Sequence, residues 1–248
     1  MLLYRAMRRV ITAGIIAIGD EILRGDTADT NTNFLCRELY ARGVQVRHCM
    51  VLPDELDQIV PALRSFTAEF DWVIACGGIG PTPDDLTRQA AAEAVGARLV
   101  LNKEAVEEYI RRRGAPLNDG QLEMCRLPEG AELVWSEFAS PPAFMLRNLL
   151  VLPGVPQILR SSWAAVAGRF AGAERFCRTF RTSTGESRWA HIMVRFIEQY
   201  PQLKFGSYPK MDNEWWVEVR IEGGDAGMVE AATAALEEEI RQIGAGPV

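Results

Sequence analysis

The sequence predicts an α/β protein with a mostly parallel sheet, followed by a small α+β module. Up to about residue 96, short apolar runs alternate with amphipathic helical patterns, which is typical of a parallel sheet with crossover helices. Beyond the small, polar residues 171–174 the order changes to strand, helix, strand, strand and helix. We therefore expect an α/β domain at residues 1–172 and a βαββα module at residues 173–248.

The spacing of apolar residues places each element in turn. In the first domain we expect strands at 10–18, 44–52, 72–75, 98–101, 131–135, 143–146 and 149–152, and helices at 30–42, 54–70, from 82, 102–113 and 156–170. In the module we expect strands at 175–183, 204–208 and 214–222, and helices at 186–200 and 225–243. Thr30 or Asn31 is expected to cap the first helix, and Pro61 to kink the second or delay its start to Ile59. Residues 127–130 are expected to form a turn.

Composition and charge argue against several classes of partner. The chain has 248 residues, 48% of them hydrophobic, and a net charge of −6, which suits a buried core and gives no basic field for nucleic acid. No apolar run approaches a membrane span, and the first nine residues are too short for a signal peptide. We therefore expect a cytoplasmic protein whose scattered cysteines are reduced and buried. They are Cys36, Cys49, Cys76, Cys125 and Cys177.

The stretch DWVIACGGIGPTPDDLTR, residues 71–88, predicts a strand that ends at a glycine loop. Gly77, Gly78 and Gly80 lack side chains within four positions, so backbone N–H groups can surround an anion such as a phosphate.

A helix is expected to start directly after this loop. Thr82 has the position of an N-cap, with Pro83 at the first helical position and Asp85 at the third. A strand, a glycine turn and a capped helix also occur without any ligand. One carboxylate suffices for the cap, however, so the second aspartate is free to hold a hard cation such as magnesium beside a phosphate.

An acidic loop follows the first strand. It begins with Asp20 and Glu21 and leads to the amides of Asn31 and Asn33. In parallel α/β sheets ligands lie beyond the carboxyl ends of the strands, so the acidic loop and the glycine loop form one site if their strands are neighbours. This many carboxylates would repel a polyphosphate unless a divalent cation came with it, so we expect a metal-dependent activity.

Three further segments have two interpretations each. LPGVP at 152–156, which contains Gly154, is either a turn or a third wall of the crevice. GSYPK at 206–210 is either a β-turn with an edge proline or a loop that reaches the crevice. The basic run at 111–113 is interpreted as a solvated helix end rather than a phosphate clamp.

These motifs also carry a family resemblance. GGIGPTPDDLT resembles the GGxGPTxDDxT signature of the molybdopterin-binding-like domain of CinA-like (competence/damage-inducible protein A) proteins. GDEILRGDTADTNTNFLC at 19–36 and the GSYP segment resemble the N-terminal domain of eukaryotic FAD synthase more closely. The resemblance implies a three-layer α/β/α domain of the molybdopterin-binding-like (MogA/MoaB-like) type, and a homo-oligomer, either a dimer or a trimer.

The resemblance implies a pyrophosphatase that hydrolyses the diphosphate of a nucleotide such as FAD or ADP-ribose, with Mg, Mn or Co and with potassium. The expected catalytic residues are Asp84, Asp85, Asp20 and Glu21, of which Asp84, Asp85 and Asp20 would hold the metal. The expected substrate-binding residues are Gly77, Gly78, Gly80, Thr82, Thr87, Asn31, Asn33, Gly154, Ser207, Tyr208 and Lys210.

Two other functions stay open at this stage. The same anion site would suit a molybdopterin-binding or molybdopterin-adenylylating protein, and the fold could also serve as a scaffold without chemistry. Asp20 matches the FAD synthase group, whereas CinA-like proteins have Thr there; SPPAF at 140–144 replaces a glycine-containing segment of the CinA-like group. Because the sequence ends at Val248, neither nicotinamide deamidation nor FAD synthesis is expected.

Overall fold

The computed structural model describes residues 10–244. The chain divides into two compact units, with the boundary between Gly172 and Ala173. In chain order the first unit contains β1 (Thr12–Ile18), α1 (Asp20–Leu23), α2 (Thr30–Ala41), β2 (Gln45–Leu52), α3 (Leu56–Glu69), β3 (Trp72–Cys76), α4 (Thr87–Val95), β4 (Leu99–Leu101), α5 (Lys103–Arg113), α6 (Asp119–Glu123), β5 (Arg126–Pro128), β6 (Glu132–Val134), β7 (Ala143–Leu146), β8 (Leu149–Leu152) and α7 (Pro156–Val166). The second unit contains β9 (Phe176–Thr182), α8 (Glu186–Gln199), β10 (Lys204–Met211), β11 (Trp215–Gly223) and α9 (Ala226–Gly244).

The first unit is built on a six-stranded sheet with the order β2-β1-β3-β8-β7-β6. β1 pairs in parallel with β2 and with β3, and β3 pairs in parallel with β8. β7 pairs antiparallel with β8, and the edge strand β6 pairs antiparallel with β7. The predicted mostly parallel sheet is therefore confirmed, with an antiparallel extension at one edge.

Helices cover both faces of this sheet. On one face Ile16 packs in a core with Leu63 of α3, and on the other face Ile15 packs in a core with Leu39 of α2 and Trp163 of α7. Because both faces are buried, the central strands are nearly continuous apolar runs rather than alternating ones. The layers are helix, sheet and helix, which confirms the predicted three-layer arrangement.

The second unit confirms the predicted order of strand, helix, two strands and helix. Its antiparallel sheet has the order β10-β11-β9, with α8 and α9 packed against one face. Val217, Val219 and Ile221 alternate along β11 and are fully buried against these helices. The unit therefore has an apolar core of its own.

Several local predictions are wrong, each for a physical reason. Asp29 caps α2, because its carboxylate accepts a hydrogen bond from the N–H of Thr32 at 2.9 Å; neither Thr30 nor Asn31 does so. α3 begins at Leu56 rather than near Ile59 and continues past Pro61, since the carbonyl left without an amide partner belongs to Asp57, in the exposed first turn. The turn predicted at 127–130 is shorter than expected: residues 126–128 form β5, and the turn lies at 129–130, where the N–H of Ala131 donates to the carbonyl of Pro128.

The segment GSYPK is also not a turn. Residues 204–211 form one continuous strand, β10, and the chain reverses only afterwards, between Met211 and Trp215. β10 lies at the edge of its sheet, which is where a proline such as Pro209 is tolerated. No helix within residues 10–244 is both long and apolar enough to cross a membrane.

Candidate functional site

A cavity of about 430 Å³ opens in the first unit at the carboxyl ends of the parallel strands. The residues that follow β1, β2, β3 and β8 all contribute to it. This is the edge of the sheet where parallel α/β folds bind their ligands. The lining residues fall into an acidic group (Glu21, Asp54, Asp84, Asp85), the glycine loop (Gly77, Gly78, Ile79, Gly80), and a wall that includes Ser140, Pro141, Pro153, Gly154 and Val155.

The cavity brings together seven of the residues proposed from the sequence. β1 and β3 are hydrogen-bonded neighbours, so the acidic loop and the glycine loop do meet. Gly154 is part of the lining, so the LPGVP segment is a wall as well as a turn. The seven residues are Glu21, Gly77, Gly78, Gly80, Asp84, Asp85 and Gly154.

Other proposed residues of the first unit lie behind the lining. The carboxylate of Asp20 faces Arg24 at 3.4 Å and the N–H of Asp54 at 3.4 Å. The amide of Asn31 donates to the carbonyl oxygen of Gly154 at 2.8 Å and so positions the wall, while Asn33 is exposed on α2. Thr82 and Thr87 support the glycine loop and are not part of the lining.

Three proposed residues belong to the second unit. Ser207, Tyr208 and Lys210 lie on β10, where the Ser207 hydroxyl donates to the carboxylate of Glu186 and the Tyr208 side chain is largely exposed. Their role in ligand binding stays a prediction.

Asp54 is the one acidic residue of the cavity lining that was not predicted from the sequence. Its carboxylate accepts a hydrogen bond from the N–H of Asp20 at 3.0 Å and lies against Gly78, 3.5 Å from where a Cβ would be. The sequence does contain a signal for Asp54 as a lining residue, because Asp54 follows the end of β2, a third parallel strand next to β1. The rule that ligands bind beyond strand ends applied to this position too.

Two glycines of the loop are required by the backbone. Gly77 has φ +100° and Gly78 has φ +64°, a region that favours glycine. A Cβ on Gly77 would lie 2.1 Å from the carbonyl oxygen of Ile18, and one on Gly78 would lie 2.4 Å from the hydroxyl of Thr87. These glycines let the loop pack directly on the end of β1 and on the start of α4.

The predicted helix start at Thr82 is wrong, because Asp85 organises the loop instead. Its carboxylate accepts hydrogen bonds from the N–H of Gly80 at 2.7 Å, and from the N–H and hydroxyl of Thr82 at 2.8 and 2.6 Å. With these donors satisfied by a side chain, the segment stays a turn and α4 begins only at Thr87. Asp85 is therefore committed to holding the loop.

The amide groups that remain available differ from those expected. The N–H of Gly77 donates to the carbonyl of Leu152 and that of Gly80 to Asp85. Within the described residues, the N–H groups of Gly78 and Ile79 have no acceptor in the protein. The anion-binding capacity of the loop therefore belongs to these two amides.

Three further features at or behind the loop suit an anion. α7 starts beside the cavity wall and has no side-chain cap, so its first N–H groups and its dipole are available. The hydroxyl of Thr87 is fully buried without a hydrogen-bond partner in the described part of the chain. Buried Arg88 donates to the carbonyls of Ile79 and Gly80, which places a positive charge behind the loop.

The acidic side chains have pKa values shifted in opposite directions. Burial raises the pKa of Asp54, and repulsion from Asp20, Glu21 and Asp84 adds to the shift. A hydrogen bond with Thr82, followed by one from its own backbone N–H, lowers the pKa of exposed Asp84. Carboxylates whose pKa values are shifted in opposite directions within one cavity are typical of sites in which one of them accepts a proton.

Cysteine chemistry plays no part in this cavity. Burial raises the pKa of Cys76, directly before the glycine loop, to about 12, so its thiol is not a nucleophile at neutral pH. Cys125 is also buried, but Cys49 is exposed and Cys36 and Cys177 are half-buried. The expectation that all five thiols are buried is therefore wrong for three of them.

The donor set suits a hard divalent cation, because the acidic group offers carboxylate oxygens only. Between residues 10 and 244, no three His, Cys, Asp or Glu side chains stand close enough together to hold a metal ion alone. Nucleotide sites commonly bind Mg²⁺ through one or two carboxylates and the phosphates of the substrate. The cavity fits that mode of binding, with Asp84, Glu21 and Asp54 as the lining carboxylates that do not hold the loop.

The fold and the site together define a class: an α/β domain with an acidic, glycine-lined cavity at the ends of its parallel strands. Residues 14–171 match the family described as "Probable molybdopterin binding domain". Residues 174–245 match the family described as "FAD synthase, middle domain". The chain therefore belongs to the molybdopterin-binding-domain family and carries an FAD synthase middle domain behind it.

Individual relatives agree with this assignment. A protein of Archaeoglobus fulgidus is 30% identical over 224 residues, which cover 90% of this chain and 96% of that protein. A probable FAD synthase of Caenorhabditis briggsae is 30% identical over 272 residues, covering 95% of this chain and 52% of the relative. A CinA-like protein of Desulfosudis oleivorans is 32% identical over 209 residues, covering 78% and 51%. The chain thus spans about half the length of these last two relatives.

A solved structure shares the fold. The crystal structure of the protein CinA with unknown function from Thermoplasma acidophilum has a TM-score of 0.61 and 30% sequence identity. The match covers 65% of this chain and 98% of that one. The family resemblance expected from the sequence is confirmed.

The three hydrogen bonds of Asp85 predict that Asp85→Ala destabilises the first unit. We expect a loss of about 1–2 kcal/mol in the free energy of unfolding, because one residue satisfies three donors. Asp84→Ala is the matched control: its side chain is exposed, and we expect a change below about 0.5 kcal/mol. Urea denaturation checks both variants, and equal losses would contradict the role assigned to Asp85.

The raised pKa of Asp54 predicts a pH-dependent gain in stability for Asp54→Asn. Since the native pKa lies above that of the unfolded chain, ionised Asp54 destabilises the fold at pH values above its native pKa. The variant should melt at a higher temperature at pH 7, and its advantage should shrink as the pH falls through the native pKa and vanish below about 3.9. Thermal melts from pH 3 to pH 8 measure this. A lower melting temperature at pH 7 would be the contrary result.

Proposed function

We propose that this protein hydrolyses the diphosphate bond of a nucleotide such as FAD or ADP-ribose, with a divalent cation as cofactor. One observation carries the proposal: the amides of Gly78 and Ile79, which have no acceptor among the described residues, line the same cavity as the carboxylates of Glu21, Asp54 and Asp84. Unpaired amides suit phosphate oxygens, and carboxylates suit a cation and a water molecule.

The chain's own groups have distinct tasks in this proposal. The amides of Gly78 and Ile79, with the N-terminus of α7, stabilise charge that develops on phosphate oxygens. Asp54, whose pKa is raised, accepts the proton of the attacking water. The water oxygen forms a bond to one phosphorus while the bridging P–O bond breaks, which leaves AMP and a second monophosphate.

The proposed cation, Mg, Mn or Co, would be held by Asp84 and Glu21 together with the phosphates of the substrate. When bound, it neutralises the diphosphate and polarises its oxygens. This differs from the ligand set expected from the sequence, because Asp85 holds the loop and Asp20 faces Arg24. We also propose that potassium acts as a further cation. Assembly into a homo-oligomer, either a dimer or a trimer, is likewise part of the proposal.

The family assignment favours a second candidate function, the binding or adenylylation of molybdopterin. The match to a molybdopterin binding domain covers residues 14–171, which contain the whole cavity. A pterin phosphate would use the same amides of Gly78 and Ile79. The two functions differ in substrate, so a substrate assay separates them.

The test is release of AMP from FAD, ADP-ribose and NAD by the full chain, with Mg²⁺, Mn²⁺ or Co²⁺, with and without K⁺, and with EDTA as the blank. We expect cation-dependent release that falls about 100-fold or more in Asp84→Ala and Asp54→Asn, the magnitude typical of lost acid–base or metal-binding groups. Glu107→Ala is the control, because Glu107 is an exposed carboxylate on α5, outside the cavity.

Two outcomes would contradict the hydrolase proposal. One is no AMP from any nucleotide with any cation; molybdopterin binding to the wild type, lost in Gly78→Val, would then support the second function. The other is AMP release by Asp84→Ala and by Asp54→Asn at the same rate as by Glu107→Ala.

A further inference from the structure

Two cysteines outside the cavity face each other in the first unit. Cys36 lies on α2 and Cys49 on β2, and their Sγ atoms are 3.7 Å apart. Bonded sulfurs lie about 2.05 Å apart, so each Sγ atom needs to move by only about 1 Å to reach its partner. Thirteen positions separate the two residues in sequence, so their proximity depends on how α2 packs on β2.

We propose that Cys36 and Cys49 form a reactive dithiol that exchanges with a low-molecular-weight disulfide such as glutathione disulfide and closes into a Cys36–Cys49 bond. This proposal is independent of the reaction in the cavity. It rests on the distance between the two sulfurs, on the exposure of Cys49 beside half-buried Cys36, and on the hydrogen bond between them.

The two thiols have unequal roles. The hydrogen bond with Cys49 lowers the pKa of Cys36 to about 7, so much of its thiol is ionised at neutral pH. The same hydrogen bond raises the pKa of Cys49, so this thiol stays protonated until its neighbour has reacted. We therefore take Cys36 as the attacking thiol and Cys49 as the resolving one, while closure of the bond rests on the 3.7 Å between their sulfurs, and either order of attack closes it.

The exchange balances without any other reactant. The Cys36 thiolate attacks one sulfur of glutathione disulfide, breaks the S–S bond and releases the first glutathione as a thiolate, which takes up a proton. Cys49 then attacks the Cys36 sulfur, forms the protein disulfide and releases the second glutathione. Two protein thiols are oxidised, one glutathione disulfide is reduced, and the two thiol protons end on the two glutathiones.

The disulfide would join two elements that lead to the cavity. The first turn of α2 carries Asn31, which donates to the carbonyl of Gly154, and Asp54 follows the end of β2. Closing the bond crosslinks these elements and restricts the unfolded chain. We expect the oxidised protein to melt at a higher temperature than the reduced protein, by roughly 5 °C.

The test is peptide mapping of the folded full chain after incubation with glutathione disulfide and alkylation of the remaining thiols. Trypsin cleavage at arginine places Cys36 in peptide 25–37 and Cys49 in peptide 48–64, so the disulfide yields one linked pair. We expect this pair in the wild type and in Cys177→Ser, and its absence in Cys36→Ser and Cys49→Ser.

The single variants test the pairing. Cys49→Ser should keep glutathione bound to Cys36, because the second thiol is missing. Cys36→Ser should keep glutathione bound to Cys49 for the same reason, so neither variant should release the second glutathione. The proposal is overturned if the wild type yields no linked pair over a range of glutathione ratios, or if Cys177 reacts as fast as Cys36.

Discussion

The carboxylate of Asp85 sets the geometry on which the site depends. By accepting three hydrogen bonds from Gly80 and Thr82, it keeps residues 80–85 in a turn and delays α4 until Thr87. Among the described residues, this turn leaves the amides of Gly78 and Ile79, in the cavity lining, without acceptors. One side chain therefore shapes the loop to which the proposed function assigns anion binding.

The cavity combines groups that are unfavourable when the ligand is absent. Carboxylates from three strand ends stand near one another, and Asp54 has a raised pKa because burial and its neighbours oppose its ionisation. The hydroxyl of Thr87 is buried without a partner among the described residues. Such groups lower stability, and a phosphate with its cation would relieve both the repulsion and the missing hydrogen bonds.

Much of the first unit could be predicted from the sequence, because its central strands are nearly continuous apolar runs that end at glycines. The cavity edge followed from the topology of parallel strands. The predicted helix start was wrong. Thr82-Pro83-Asp84-Asp85 fits a capping pattern, and the sequence does not show that the loop folds back so that the N–H of Gly80 donates to the Asp85 carboxylate. Asp54 was missed because one aspartate after a strand is common in sequences. The proximity of Cys36 and Cys49 depends on helix packing, which spacing alone does not encode.

The central claim is that the amides of Gly78 and Ile79 bind the phosphate of a nucleotide. The most direct measurement is a ¹⁵N–¹H correlation spectrum of protein labelled at glycine and isoleucine, titrated with ADP and Mg²⁺. We predict the largest downfield shifts at Gly78 and Ile79, with smaller ones at Gly77 and Gly80, whose amides already donate within the protein. If the resonances of Gly78 and Ile79 stay unchanged while those of other glycines shift with ADP, phosphate binding by these two amides is contradicted.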